Sequence, residues 1–132
     1  MVAIPANVMA LLNAHDSVKV FVTADTAGQP HAIVAGSIAA PTPDTVIIGE
    51  VLMKRSAKNI EANKKAAFLV VKGLEAFEIN VIPKARLDKG PEVDAMNQAL
   101  AAMHLHANAV WVFSVVSVSD QGANPKAGTK LA

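Results

Sequence analysis

The run Gly49-Glu50-Val51-Leu52-Met53-Lys54-Arg55-Ser56-Ala57-Lys58-Asn59 carries the most legible chemistry in this chain. A strand that ends at Gly49 leads through a short loop to two adjacent cations, a hydroxyl and, one turn later, an amide. This is the pattern of a helix start that can hold an anion. The N–H groups of a first helical turn lack intrahelical acceptors and present partial positive charge. Arg55 can grip a phosphate through two parallel hydrogen bonds. Ser56 can add a hydroxyl donor, and Asn59 lies one turn on, on the same side. The same residues also fit a capped surface helix, with Ser56 as N-cap and solvated lysines.

His104-Leu105-His106 is the second candidate. On a strand the two imidazoles share a face and could ligate a metal; on a helix they point apart. No carboxylate or third histidine lies nearby in sequence, and a metal needs three or four ligands, so no metal site is assigned. No catalytic triad is legible, because Ser56, Ser114 and Ser117 lack a glycine-flanked elbow. Glu75 and Glu78 read as solvent-facing strand residues, and Met96 and Met103 as core at helical spacing.

The elements that must position these residues follow from hydrophobic period. Pro5 opens a short helix with Val8, Leu11 and Leu12 on one face. The period then changes to two: Val18, Val20 and Val22 alternate with Lys19, Phe21 and Thr23. Asp25-Thr26-Ala27-Gly28 is turn chemistry, and a second strand runs from His31 to about Ser37. Pro41-Thr42-Pro43-Asp44 reads as a turn before a third strand, Thr45 to Gly49. A helix over Met53 to Asn63 precedes strands at Ala66 to Lys72 and Glu75 to Val81. Pro83 implies that the latter lies at an edge or bends. Gly90-Pro91 opens a helix to about Met103, with Val93, Met96, Leu100 and Met103 as its apolar stripe. Ala109 to Val118 is a last strand, apolar on both faces. Six strands with short connections predict a mainly β chain with short helices, a closed or nearly closed antiparallel barrel. The barrel domain spans 1–118; a tail of flexible composition spans 119–132.

Composition narrows the function. A length of 132 residues is one domain's worth. The net charge of +1 offers no basic stripe for nucleic acid. No apolar run is long enough for a membrane span. Without cysteine there is no disulfide or thiolate metal site, and with no signal-peptide pattern a cytoplasmic setting is expected. The apolar fraction of 52% exceeds the usual range, which predicts that some of that surface is buried between two copies as a homodimer.

His31-Ala32-Ile33-Val34-Ala35, then Val46-Ile47-Ile48-Gly49, then Met53 through Ile60, resembles the FMN-binding split-barrel superfamily. That superfamily includes the pyridoxamine 5′-phosphate oxidases and the small FMN-binding proteins, and this chain looks closest to the latter. Arg55, Ser56 and Asn59 match its pattern of a cation, a neighbouring hydroxyl and an Asn three residues later. Asn63, the strand Ala67-Phe68-Leu69-Val70-Val71, Gly90-Pro91-Glu92-Val93 and Val115-Val116-Ser117 extend the likeness over most of residues 8–118.

The resemblance implies a six-stranded antiparallel split β-barrel and FMN as cofactor, with sites shared between the subunits of a homodimer. It implies that the phosphate sits on Arg55 and Ser56, with Lys54 and Asn59 beside them. The ring would lie along Val34, Ala35, Gly36 and Ser37 and along Ile48, Gly49, Glu50 and Val51, with His106 near its edge. The reaction class implied is an oxidoreductase or electron carrier; no pattern names its substrate or redox partner. The segment after Val118 lacks the arginine and histidine that pyridoxamine phosphate oxidases carry, which argues against that activity. Alternatives in the same fold are a binder of haem, a bilin or the deazaflavin F420, and a structural or regulatory module with an empty site.

Overall fold

The computed structural model describes residues 2–132. Its elements are α1 (Ala6–Leu12), β1 (Val18–Ala24), β2 (Pro30–Val34), β3 (Ala39–Thr42), β4 (Thr45–Gly49), α2 (Lys54–Asn63), β5 (Ala66–Lys72), β6 (Glu75–Leu87), α3 (Pro91–Ala101) and β7 (Val110–Asp120). The strands form one antiparallel sheet in the order β2-β1-β5-β6-β7-β4-β3. It has seven strands, not the expected six, and it is not closed. The stretch read as one strand to Ser37 stops at Val34. After a short link the chain begins a separate strand, β3, which pairs irregularly with β4. Pro41 lies inside β3, at a sheet edge where its missing N–H breaks no ladder bond.

The two edge strands, β2 and β3, are consecutive in the chain and joined only by residues 35–38. Five Cα–Cα steps span at most about 18 Å. Seven strands laid flat would separate those edges by about 29 Å. The sheet must therefore curl until its edges nearly meet, leaving a split crossed by the link. Asp25 accepts from the N–H groups of Ala27 and Gln29 at 2.9 Å, which fixes the turn between β1 and β2.

Inside the curl, Phe21 and Phe68 face each other across β1 and β5 with ring centroids 4.8 Å apart, and Phe113 meets both at 5.7 and 5.5 Å. Offset and edge-to-face contacts of this kind add to the apolar burial. Phe21 brings Lys19 and Thr23 to the same inner face, so the half-exposed valines of β1 lie outside. α1 contributes Val8, Leu11 and Leu12 to this core. α3 builds a second cluster, with Val93, Met96 and Leu100 against Ala107 and Val110. Gly49 permits that seat: a Cβ there would stand 3.1 Å from the Met96 side chain.

β6 is central, not an edge. It bends at Pro83, where β5 pairing has already ended at Val81 and the β7 register shifts. β7 continues to Asp120, two residues past the division expected at 118. Residues beyond it return along the strand, with Leu131 N–H donating to the Val118 carbonyl at 2.8 Å and Val118 N–H to that of Ala132 at 3.0 Å. Both faces of β7 are covered only in its first half; Val116 is exposed. No helix among the described residues is long and apolar enough to cross a membrane.

Candidate functional site

The split opens into a cleft of about 390 Å³. One wall is the link, with Val34, Ala35, Gly36 and Ser37; the other is Gly49, Val51, Leu52 and Met53, and Leu100, Met103 and Leu105 close one end. Ser37 ties the walls together: its Oγ accepts from Gly49 N–H at 3.2 Å and donates to the Gly49 carbonyl at 3.3 Å. Six of the eight residues expected to line a ring therefore line this cleft. Ile48 does not, because strand alternation turns it inward, where it is fully buried in the core. Gly36 leaves open space, whereas the room at Gly49 is taken by Met96 and Ala107 and not left for a ligand.

Glu50 is the second exception. Alternation at the end of β4 aims it away from the cleft, into a bidentate ion pair with Arg86 (Nε–Oε1 3.0 Å, Nη2–Oε2 2.8 Å). Its Oε1 also accepts from Trp111 Nε1 at 2.8 Å. The Arg86 hydrogen bonds, helped by Trp111, hold its carboxyl below the ordinary glutamate value against partial burial. Glu50 and Arg86 wall a second, polar cleft with Lys54, Lys58 and Glu61.

α2 follows Met53 directly. Its N-cap is Met53, which offers no side-chain acceptor, so the first-turn N–H groups are uncapped. The helix starts two residues before the cap expected at Ser56. Ser56 occupies its third position, is fully buried, and its Oγ has no hydrogen-bond partner. Asn59 is buried as well, donating to Thr23 Oγ1 at 3.1 Å, while Asn63 donates to the Ala24 carbonyl at 3.3 Å. These two amides anchor α2 to β1. Lys54 and Arg55 are exposed and take part in no salt bridge among the described residues. The expected phosphate quartet is thus divided between two exposed cations and two inward side chains.

His104-Leu105-His106 lies in a turn beyond α3, with His104 at φ +56°. His106 is exposed and outside the cleft lining; Leu105 supplies the wall there. No group of three metal-ligating residues occurs among the described residues. Met103 lies past the end of α3 and is exposed, not core. Sequence reasoning missed Leu52, whose side chain is 93% exposed and whose φ is +51°, rare for a bulky residue. The signal available was the apolar run Val51-Leu52-Met53 placed in a loop. It also missed Leu100, Met103 and Leu105, which reach the cleft only through the packing of α3.

No family model matches this chain, and no curated protein does. Solved structures do match. An FMN-binding protein from Syntrophomonas wolfei subsp. wolfei aligns with a TM-score of 0.80 and 18% identity over 88% of this chain and 84% of its own. HupZ from group A Streptococcus aligns at 0.79 with 20% identity, over 95% and 99% of the two chains. A pyridoxamine 5′-phosphate oxidase-like protein from Lactobacillus delbrueckii aligns at 0.72 with 15% identity, over 88% and 93%. An F420 reductase (0.70, 14%) and HutZ, the haem storage protein from Vibrio cholerae (0.62, 10%), share the fold. The chain therefore shares the fold of these proteins, a curled antiparallel sheet with a split. Neighbours with different cofactors in their names leave the ligand of this chain to be argued from its own residues.

The Glu50–Arg86 pair sets how stability responds to acid. Its carboxyl is lowered in the folded protein, so its contribution to stability is complete above the unfolded value near pH 4.5 and is lost as pH falls through the folded value. Thermal melts from pH 6 to pH 3 should show the parent losing that contribution, while Glu50→Gln starts less stable and has a shallower decline. Asp16 and Asp44, whose carboxyls are also lowered by their hydrogen bonds, are common to both proteins, so the difference isolates Glu50. Parallel curves for the two proteins would contradict the assignment.

Proposed function

We propose that this chain is an FMN-binding flavoprotein that holds the flavin in the split. The ring would lie in the apolar cleft between residues 34–37 and 49–53, and the phosphate at the start of α2. The observation that carries the reading is continuity: Leu52 and Met53 line the cleft, and the next two residues are exposed cations on an uncapped helix start. An anion there meets free N–H groups and the helix dipole together. Val34, Ala35 and Gly36 offer no side-chain donors, so the ring's polar edge would be met by backbone groups and Ser37. Lys54 and Arg55 would hold the phosphate. Ser56 and Asn59 support the reading less directly, by seating the helix. When bound, FMN supplies the redox chemistry, and the protein supplies orientation and shelter from water. A cytoplasmic setting goes with this reading.

A second reading is a haem or F420 binder in the same cleft, favoured by the cofactors in the names of the HutZ and F420 reductase neighbours. The absorption spectrum of whatever co-purifies separates the readings, since flavin, deazaflavin and haem absorb in distinct bands.

The proposal includes a homodimer. Val34, 75% exposed, and Leu52 stand at the cleft mouth beside Met103 and Leu105. Folding alone gives no reason for a bulky residue in a left-handed conformation with its side chain in water. A two-fold partner covering that mouth would bury these residues and complete the cleft. Sedimentation at micromolar concentration should give the dimer mass, and a stable monomer would contradict it.

The phosphate assignment is tested by titrating apo-protein with FMN and with riboflavin. Arg55→Ala should weaken FMN by about tenfold to a few hundredfold, the worth of one charge-assisted or bidentate contact. Riboflavin, which lacks the phosphate, should bind the variant as it binds the parent. Ser56→Ala should cost less, because its hydroxyl is enclosed. Unchanged FMN affinity in Arg55→Ala would move the phosphate elsewhere, and equal loss for riboflavin would make Arg55 a residue of the fold.

A further inference from the structure

Lys19 is a cation where the inner face of β1 calls for an apolar residue. It is only 7% exposed. Its Nζ donates to the Ala14 carbonyl at 2.6 Å and weakly to that of Ser17 at 3.4 Å. An ammonium has three protons, so one is left without an acceptor. Among the described residues Lys19 has no carboxylate within ion-pair distance; the two ion pairs are Lys72–Asp16 and Arg86–Glu50. Asp16, the acidic group whose charge acts on Lys19, is engaged at 2.8 Å by Lys72. Burial accordingly pushes the Lys19 pKa down, and Asp16 only partly offsets this. A buried charge without a counter-ion is costly, and backbone dipoles compensate it incompletely.

Lys19 is among the residues that line a groove of about 530 Å³, together with Ala14, which accepts from its ammonium. The size is in the range of small-molecule sites. α3 forms one bank with Ala95, Met96 and Ala99; Ala39 of β3 and Ile47 of β4 form the other. The small side chains of Ala95 and Ala99 leave the space open. The remaining ionisable lining groups are His15, next to the α1–β1 turn, and Glu92 in the first turn of α3. An apolar trough with one uncompensated cation in its wall is complementary to an apolar anion.

We infer that this groove binds a monocarboxylate with an aliphatic body: the carboxylate meets Lys19 and the chain lies along α3 between Ala95, Ala99 and Ile47. The ligand completes the third hydrogen bond of the ammonium and supplies its missing counter-ion. Glu92 repels the carboxylate from the start of α3 and so favours one orientation. The inference is independent of the flavin reading, although the groove meets the cleft at Gly36, Ser37, Leu100 and Met103.

The probes are octanoate and octan-1-ol, which share a chain and differ in the head group, titrated calorimetrically into the full chain without added flavin. Octanoate should bind the parent. Lys19→Met, which keeps an unbranched side chain at that position, should weaken octanoate at least about tenfold, the worth of one charge-assisted hydrogen bond. Octan-1-ol should bind parent and variant alike. Ala99→Trp, on an exposed helix position where folding is insensitive, should fill the trough and abolish binding of both probes while Lys19 remains. A failure of octanoate to bind the parent at about 5 mM, a site too weak to be specific, would overturn the proposal. So would octanoate affinity unchanged in either variant. Since no flavin is present, these outcomes leave the FMN assignment untouched, and failure of FMN to bind leaves them untouched in turn.

Discussion

Five Cα–Cα steps separate Val34, at one edge of the sheet, from Ala39 at the other. That short tether forces seven strands to coil until the edges nearly meet. The coil encloses the three phenylalanines, and it leaves a gap where the tether crosses. The cleft is thus a by-product of the topology: one wall is the tether and the other begins at the end of β4. The double hydrogen bond between Ser37 and Gly49 sets the width of the gap at one point. A chain that joined β2 and β3 through a longer loop would lose both the curl and the cleft.

Polar side chains complete the work that backbone pairing cannot do at such a gap. Asn13 imitates a neighbouring strand for the edge residue Ala40, accepting from its N–H at 2.8 Å and donating to its carbonyl at 3.1 Å. Asn97 treats Ala107 in the same way, at 2.7 and 3.2 Å, and so holds the turn that carries Leu105. Each of these pairs satisfies two backbone groups that would otherwise be partly buried without partners. Asn59 and Asn63 do the equivalent service between α2 and β1. The start of α2, with its free N–H groups and cations, is held against the split by side-chain amides and not by the sheet ladder.

Periodicity made most elements legible, because an apolar face at 3.6 or 2 residues must be buried. The apolar faces of α1, α2 and α3 and the Val-rich strands all follow from it. β3 was illegible because Pro41, Thr42 and Pro43 are turn residues, and only its place at a sheet edge makes Pro41 tolerable in a strand. Alternation along β1 leaves open which set faces inward; the packing of Phe21 against Phe68 decides it and carries Lys19 in as well. In the cleft, the stretches 34–37 and Gly49–Val51 could be read along the chain. Glu50 went astray because a one-residue change of facing sends a side chain to the opposite side. Ser56 went astray because its hydroxyl suits a cap, whereas the helix begins at Lys54 and sets Ser56 at the third position, three residues past the actual cap Met53. Leu100, Met103 and Leu105 enter the cleft through tertiary packing alone, which no local pattern encodes.

On the proposed reading, the split and the helix start that follows it hold the cofactor. Two-dimensional amide NMR of the apo-protein during addition of FMN addresses that directly, because it reports on every backbone N–H at once. The largest shifts should fall on residues 34–37, 49–53 and the first turn of α2, with β5 and the early part of β6 little changed. Shifts confined to the groove between α3 and β3, or spread along β5 and β6 with the link and the α2 start unmoved, would place the cofactor elsewhere.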